Sequence, residues 1–534
     1  MISLLQRFKQ NLVEVLDYKG ISTKAAGFML LGILLLTAAI RLATIQSPAL
    51  DRTSWKEIDH IMISENYAKN GRHFLKPEVS WPADEPRVTA MELPVVPYIA
   101  SFLYTVFGMN VFTVRILTLL AYVLLVFYMF KLVKREMGTV LALLTALFTG
   151  LLPMFNPYRN YLFSEPFVLL FSVFAIYHYA EWIEFRKKPD LVWFMVGFAL
   201  TVSLKPTSLY IGLPLLWIHF RAYRFDITKY WSFIWPIAIA MVVPVLWYIH
   251  AYYLSQNYID VFGVFGGQFG GHDKLQTFME LSSVDWYKTM FWRLQMNLLG
   301  KPGLLLIVIG ALSSLFVGRG KLFLAYFIAI LCFFAIVAEG NIDTHYRQLT
   351  IIPPGSFLIA LGALGLSVLI YSVASILGAG FKPLARAVAV VVPVVFLLYF
   401  PVRNPDLWMP APKEAPVHGD NWFLAQEIKK FASDNSKIIM AGEYTIHKGG
   451  NDVSPVTYYY SGLKGWTIQE GEWNQAVVDS LMNRGADLLG ATAYKREPGL
   501  EAFLQSLTSR YEVLYDDPER QLLLLSLKPG LNKK

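Results

Sequence analysis

Long apolar runs, separated by short basic loops, dominate the first 400 residues of this 534-residue chain. Eleven such runs are read, over residues 25–46, 109–130, 138–155, 161–180, 191–204, 207–220, 231–254, 302–317, 322–338, 349–372 and 387–401. A helix needs roughly 20 apolar residues to cross a hydrocarbon core, so the pattern predicts about eleven transmembrane helices. Two longer polar stretches interrupt it. In the first, residues 45–108, the apolar segment Val95–Phe107 is read as lying along the membrane interface. The second, residues 255–300, carries Gly263, Gly266, Gly267, Gly270 and Gly271, read as a hinge, and then an amphipathic stretch, Leu275–Leu299, with Trp286 and Trp292 suited to an interface. These glycines follow no strand of a βαβ unit, so they are not a phosphate-binding fingerprint.

Beyond residue 401 the pattern changes. Pro405, Pro410, Pro412 and Pro416 form a linker, and then helix-like segments (Trp422–Ala432, Gln475–Arg484, Leu500–Tyr511) alternate with strand-like ones (Lys437–Ala441, Glu512–Tyr515, Gln521–Leu527) around an aromatic run, Tyr458–Tyr460. The expected architecture is a polytopic α-helical membrane domain, residues 1–401, followed by a linker and a small α/β domain, residues 402–534.

Composition supports the lipid setting. The chain is 55% hydrophobic and 16% charged, against about 45–50% and about 25% in soluble domains. Its net charge of +8 suits a nucleic-acid partner or an acidic membrane surface. The cations decide between them: Lys131, Lys134 and Arg135, Arg186–Lys188, Arg221, Arg224 and Lys229, Arg319 and Lys321, and Lys382 and Arg386 all sit in alternate short loops. That bias predicts a cytoplasmic N-terminus, an extracytoplasmic C-terminal domain and no nucleic-acid partner. Cys332 is the single cysteine, so no intramolecular disulfide can form. Arg7, Lys9, Lys19 and Lys24 precede the first run as in a signal peptide, but its length, the Arg41 that follows and the lack of a small-residue cleavage site indicate an uncleaved anchor.

Candidate chemistry gathers on the loops predicted to be outside. The first holds Glu57-Ile58-Asp59-His60, Glu65-Asn66-Tyr67-Ala68-Lys69-Asn70-Gly71 and Met91-Glu92-Leu93-Pro94. A carboxylate at a membrane surface can serve as a general base, and Asp59 is the candidate; composition alone reads these acids equally as solvated loop carboxylates. Glu92 is also placed to cap the following helix. Glu165, in Arg159-Asn160-Tyr161-Leu162-Phe163-Ser164-Glu165-Pro166, opens an apolar run, where an acid faces a cavity or partner or complements a helix start. Arg41, Arg115 and Lys205 lie outside, against the charge bias, where they can hold an anionic leaving group or snorkel to headgroups. His345, Tyr346 and Arg347 close the last outer loop, before Pro353-Pro354. Asp59-His60 and His272-Asp273 lack zinc-ligand spacing, and scattered carboxylates leave no readable pattern, so a divalent metal stays open.

The ordered set Asp59, Ala68-Lys69-Asn70-Gly71, Pro77, Trp81, Glu92-Leu93-Pro94, Tyr98, Phe107-Gly108 and Arg115 resembles the first loop and second helix of glycosyltransferase family 39, which includes protein O-mannosyltransferases and aminoarabinose transferases acting on lipid A. The resemblance covers roughly residues 25–400. It implies a GT-C fold, a polyprenyl-phosphate-linked sugar as donor, and a protein, lipid or glycan acceptor. It implies Asp59 as base, Glu92 and Glu165 as further acids of the site, and His345, Tyr346 and Arg347 at the donor head group. Many relatives carry an Asp-Glu pair where this chain has Asp59-His60. The run Tyr459–Trp466 resembles the soluble appendage of some bacterial members. Two other readings are a transporter or flippase of lipid-linked sugars, which calls for charge near the bilayer midplane and often two related halves, and a ligase or polymerase of lipid-linked glycans.

Overall fold

The computed structural model describes residues 2–50, 54–84, 87–153, 160–265, 277–377, 419–442 and 454–528, with isolated helical positions between 387 and 399. Arg159, the glycines from Gly266 to Gly271, His272-Asp273, Lys382, Arg386, most of the 387–401 run and the proline linker lie outside the described residues.

Helix α1 (Ile2–Leu16) is amphipathic and buries Phe8, Leu12 and Leu16. It is followed by α2 (Thr23–Leu42), whose N-cap Ser22 accepts the Ala25 N–H, α3 (Ser54–Lys69), strand β1 (Arg87–Ala90) and α4 (Val95–Phe107). Helix α5 (Val111–Met137) is capped by Asn110 and ends at Gly138, whose φ of +86° turns the chain directly into α6 (Thr139–Leu151). A side chain at Gly138 would be strained by that φ and would overlap the Leu16 carbonyl oxygen. Then come α7 (Glu165–Phe185), α8 (Lys188–Leu204), α9 (Gly212–Tyr223), α10 (Ile227–Asn257), strand β2 (Ile259–Gly263), α11 (Thr277–Leu281), α12 (Val284–Arg293), α13 (Lys301–Ser314), α14 (Lys321–Ile336), α15 (Ala338–Asp343) and α16 (Ile352–Leu377).

Each of the first ten apolar runs is helical over most of its length. Among the described residues six helices are long and apolar enough to span, or seven if the pair Val284–Leu299 and Lys301–Ser314, bent by 98°, counts as one. Apolar runs do not reveal helix breaks. The run at 138–155 stops as a helix at Leu151, and that at 207–220 opens with a 3-10 turn, Pro206–Ile211, leaving a helix of 12 residues. In the amphipathic stretch, Trp292 is exposed while Trp286 is buried and donates to the Ala338 carbonyl at 3.0 Å.

The basic loops do converge at one end of the bundle. Arg135 reaches Glu136, Glu181 and Glu184, Arg221 pairs with Glu136 at 2.7 Å, and Asn11 of α1 donates to Ser372 near the end of α16. In the interior, α13 and α16 touch backbone to backbone. A Cβ on Gly310 would overlap the Leu358 carbonyl oxygen, and one on Gly362 the Leu306 carbonyl oxygen, the close approach that small residues permit between membrane helices. Gly362→Val is therefore expected to part the two helices and lower the thermal unfolding midpoint in detergent by several degrees, whereas Leu369→Val, on the exposed side of α16, is expected to leave it within a degree or so.

At the opposite end, β1 and β2 pair in parallel from Arg87–Ile259 to Ala90–Gly263, joining the two long loops. The C-terminal domain comprises α17 (Gly419–Phe431), β3 (Lys437–Ala441), α18 (Pro455–Ser461), β4 (Lys464–Ile468), α19 (Gln475–Asn483), β5 (Leu488–Thr492), α20 (Pro498–Thr508), β6 (Glu512–Asp517) and β7 (Leu522–Ser526). Its sheet runs β4-β3-β5-β7-β6, parallel from β4 to β5 and antiparallel through the β6–β7 hairpin. Strands β4 and β5 were not legible in the sequence: each is five residues long and carries a glycine, Gly465 or Gly490, which weakens a strand pattern. The aromatic run Tyr458–Tyr460 is helical. It packs, with Leu424, Ile438 and Met440, in one hydrophobic cluster with Leu50, Trp55, Met62 and Trp81 of the first loop.

Candidate active site

Helix α3 lies between the bundle and the C-terminal domain. Lys56, Asp59 and His60, three and four positions apart, occupy one side of it. Opposite them are the Glu92 turn before α4, the start of α7 and the end of α8. Lys56 Nζ lies 2.8 Å from Glu92 Oε1 and 3.9 Å from Glu165 Oε1, and Lys205 pairs with the same Glu165 oxygen. Ser164 Oγ donates to Glu92 Oε1 at 2.6 Å, and His60 Nε2 is 3.7 Å from it. The ring of Tyr346 completes the group, with the Lys56 and Lys205 ammonium nitrogens 5.4 Å and 5.3 Å from its centre. Two buried atoms of this neighbourhood, Glu165 Oε2 and Arg347 Nε, have no hydrogen-bond partner among the described residues.

Asp59 is 7% exposed and its Oδ1 accepts the Trp81 indole N–H at 3.2 Å. Burial pushes its carboxyl well above the ordinary aspartate range, and the Trp81 bond, Lys56 and Trp55 only partly offset this. Glu92 goes the other way: burial would raise it, but Lys56 and His60 outweigh that and hold it below the usual range. For Lys56, burial favours the neutral form, yet Glu165 and Glu92 prevail and keep the ammonium charged. Lys205 falls to about 8, because burial outweighs the attraction of Glu165. The site thus holds one carboxyl raised by burial beside acids and amines held in ion pairs.

Residues 84–248 match a known family, the dolichyl-phosphate-mannose-protein mannosyltransferases. The whole fold is similar to that of ArnT from Cupriavidus metallidurans bound to undecaprenyl phosphate, with a TM-score of 0.57 over 96% of this chain and 100% of that one at 10% identity. The chain has the GT-C fold of a polytopic membrane protein. ArnT in the apo state gives a TM-score of 0.55 at 11% identity, covering 94% and 98% of the two chains. The Archaeoglobus fulgidus oligosaccharyltransferase tethered to an acceptor peptide gives 0.56 at 10% identity, over 95% of this chain and 74% of that one. No curated protein matches by sequence.

Within this fold the predicted site residues divide into two groups. Asp59, Glu92, Glu165, Lys205 and Tyr346 come together, with Arg347 close enough to depress Lys205 and the His345 ring 6.1 Å from that of Tyr346. Arg115 and Arg41 do not join them; both are engaged by partners within the protein. Arg115 is fully buried and saturated: it grips both Glu57 oxygens at 2.7 Å and donates to the carbonyls of Ile45 and Ser47. Arg41, equally buried, donates to the Gly150 and Leu152 carbonyls and stacks over Tyr122 at 3.9 Å. Both guanidinium groups are buried, and among the described residues Arg41 Nε has no hydrogen-bond partner.

Sequence reasoning missed Lys56, the central cation, and Glu57, the partner of Arg115. The signal for Lys56 was present, since it is another cation on the loop side opposed to the basic clusters. As for a metal, no group of three or more His, Cys, Asp or Glu side chains is poised to hold one among the described residues. Glu92 and Glu165 are instead matched by lysines.

Proposed function

We propose that this site transfers a sugar from a polyprenyl-phosphate carrier to a hydroxyl or amine acceptor, with Asp59 as general base. Supporting it is the position of Asp59, its pKa raised by burial, on the same side of α3 as Lys56, which stands beside the Glu165–Lys205 pair. A good base needs a pKa near working pH, and Glu92 is too acidic to compete. The acceptor proton passes to Asp59 while the acceptor atom bonds to the anomeric carbon. The bond from that carbon to the carrier phosphate oxygen breaks, inverting the centre, and the phosphate leaves against Lys205 and Arg347. ArnT, which binds undecaprenyl phosphate, favours such a lipid as the carrier, and the basic loops at the far end of the bundle favour an extracytoplasmic site.

The test is mass spectrometry of cell-envelope glycoconjugates from cells with and without this chain, followed by transfer assays with the donor so found. One sugar is expected to disappear from a glycoconjugate, and simple relocation of the carrier with no covalent product would identify a flippase instead. With the donor in hand, kcat/KM is expected to fall on the alkaline side near pH 8, where Lys205 in the free enzyme loses its proton. Lys205→Arg is expected to move that alkaline limb upward by more than one pH unit.

A further inference from the structure

We infer that the C-terminal domain is a positioning element of the active site, acting through Tyr458 on Trp81 and through Trp81 on Asp59. This rests on reading Asp59 as the base. Trp81 is 1% exposed, and its backbone and ring are both held from the C-terminal domain. Gly465 N–H donates to the Trp81 carbonyl at 2.9 Å and Ala83 N–H to the Gly465 carbonyl at 2.8 Å, so residues 81–83 continue the sheet beyond β4. The Tyr458 ring stacks on the indole with centroids 5.6 Å apart and planes inclined by 26°. Further along, Trp466 Nε1 donates to Asp84 at 3.0 Å and Arg484 pairs with the same carboxylate. No side chain fits at Gly465, where a Cβ would overlap the Ile438 carbonyl oxygen. The membrane domain supplies Trp55, edge-on to Trp81 with centroids 6.3 Å apart, and the carboxylate itself.

The consequence for Asp59 is orientation as well as charge. An indole N–H on one carboxylate oxygen restrains the orientation of the group, and a donor to the ionised form stabilises it. Among the described residues, the titratable groups around Asp59 include Lys56 and His60 on its own helix, Glu92 from the turn before α4, Glu165 beyond it, and Tyr67, Tyr98, Tyr458, Tyr459 and Tyr460 of the adjoining cluster. Because the variants share these neighbours, a difference in Asp59 titration between them reports the Trp81 contact.

The experiment is infrared difference titration of the full-length protein in detergent, with the Asp59 band assigned by its loss in Asp59→Asn, alongside product levels in cells. Trp81→Phe keeps a ring and removes the N–H; it is expected to raise the Asp59 midpoint by about one pH unit and lower product about tenfold. Tyr458→Leu is expected to move both readouts in the same direction by a smaller amount, and Tyr458→Phe, which keeps the stack, to restore them. If Tyr458→Leu does not fold, Tyr458→Met reads the same step. Wild-type titration and product in the Tyr458 variants would overturn the inference whatever Trp81→Phe does. Full product from Asp59→Asn, with the Trp81→Phe shift still present, would instead overturn the reading of Asp59 as base and leave the contact standing.

Discussion

Asp59→Asn is expected to lower sugar transfer by about 10²- to 10⁴-fold, the usual contribution of a general base, while leaving the protein as stable as before or more so. The two halves of that result have one cause. Burial raises the folded-state pKa of Asp59, so its contribution to stability is complete below the unfolded value of about 3.9 and is lost as pH rises through the folded value. At neutral pH the ionised carboxylate therefore opposes folding. Asparagine removes the charge, keeps an oxygen to accept the Trp81 N–H, and so relieves that strain. Thermal midpoints in detergent across pH check it: the variant should match or exceed the parent at pH 7, and the difference should shrink toward pH 4. A variant that is both inactive and clearly less stable would show Asp59 to be a structural acid.

The Glu57–Arg115 pair predicts the opposite profile. Both side chains are wholly buried, and Glu57 Oε1 also accepts the Leu162 N–H at 3.1 Å, so this one carboxylate ties α3 to α5 and to the chain entering α7. Glu57→Gln leaves the Arg115 guanidinium in the interior without a counter-charge, and removing one partner of a buried pair costs about 3–5 kcal/mol. A large drop in thermal midpoint is expected, with activity lost because Lys56, Asp59 and His60 ride on the same helix. Replacing both residues by apolar ones of similar size, Glu57→Met with Arg115→Leu, should recover much of the stability. A double-mutant cycle measures the coupling, and single variants as stable as the parent would refute the role of the pair.

How much of this was legible in the sequence depends on whether the information is local. Helical runs and the α/β character of the tail follow from periodicity within windows of ten to twenty residues, and both could be read directly. Charge out of place in a membrane loop is also a local signal, and it pointed to Lys205 and to the acids Asp59, Glu92 and Glu165, which the fold gathers around Lys56. The same signal does not tell Arg115 and Arg41 apart from these. An arginine beneath a loop looks alike whether it waits for a phosphate or is already taken by a carboxylate 58 residues earlier in the chain. Trp81 shows the remaining limit, because its tyrosine and strand partners belong to the other domain and nothing near residue 81 announces them.

The sheet continuation at residues 81–83 also constrains how the molecule is made. Asp84 and the Trp466 indole that binds it are 382 residues apart, which at about 5–20 residues per second separates their synthesis by roughly 20 to 80 seconds. Through that interval Leu50, Trp55 and Trp81 have no cover, although the helices around them are already in the bilayer. A chain cut short before β4 would leave this apolar surface open for good, so nonsense mutations late in the gene should yield proteolysed fragments rather than a smaller working enzyme.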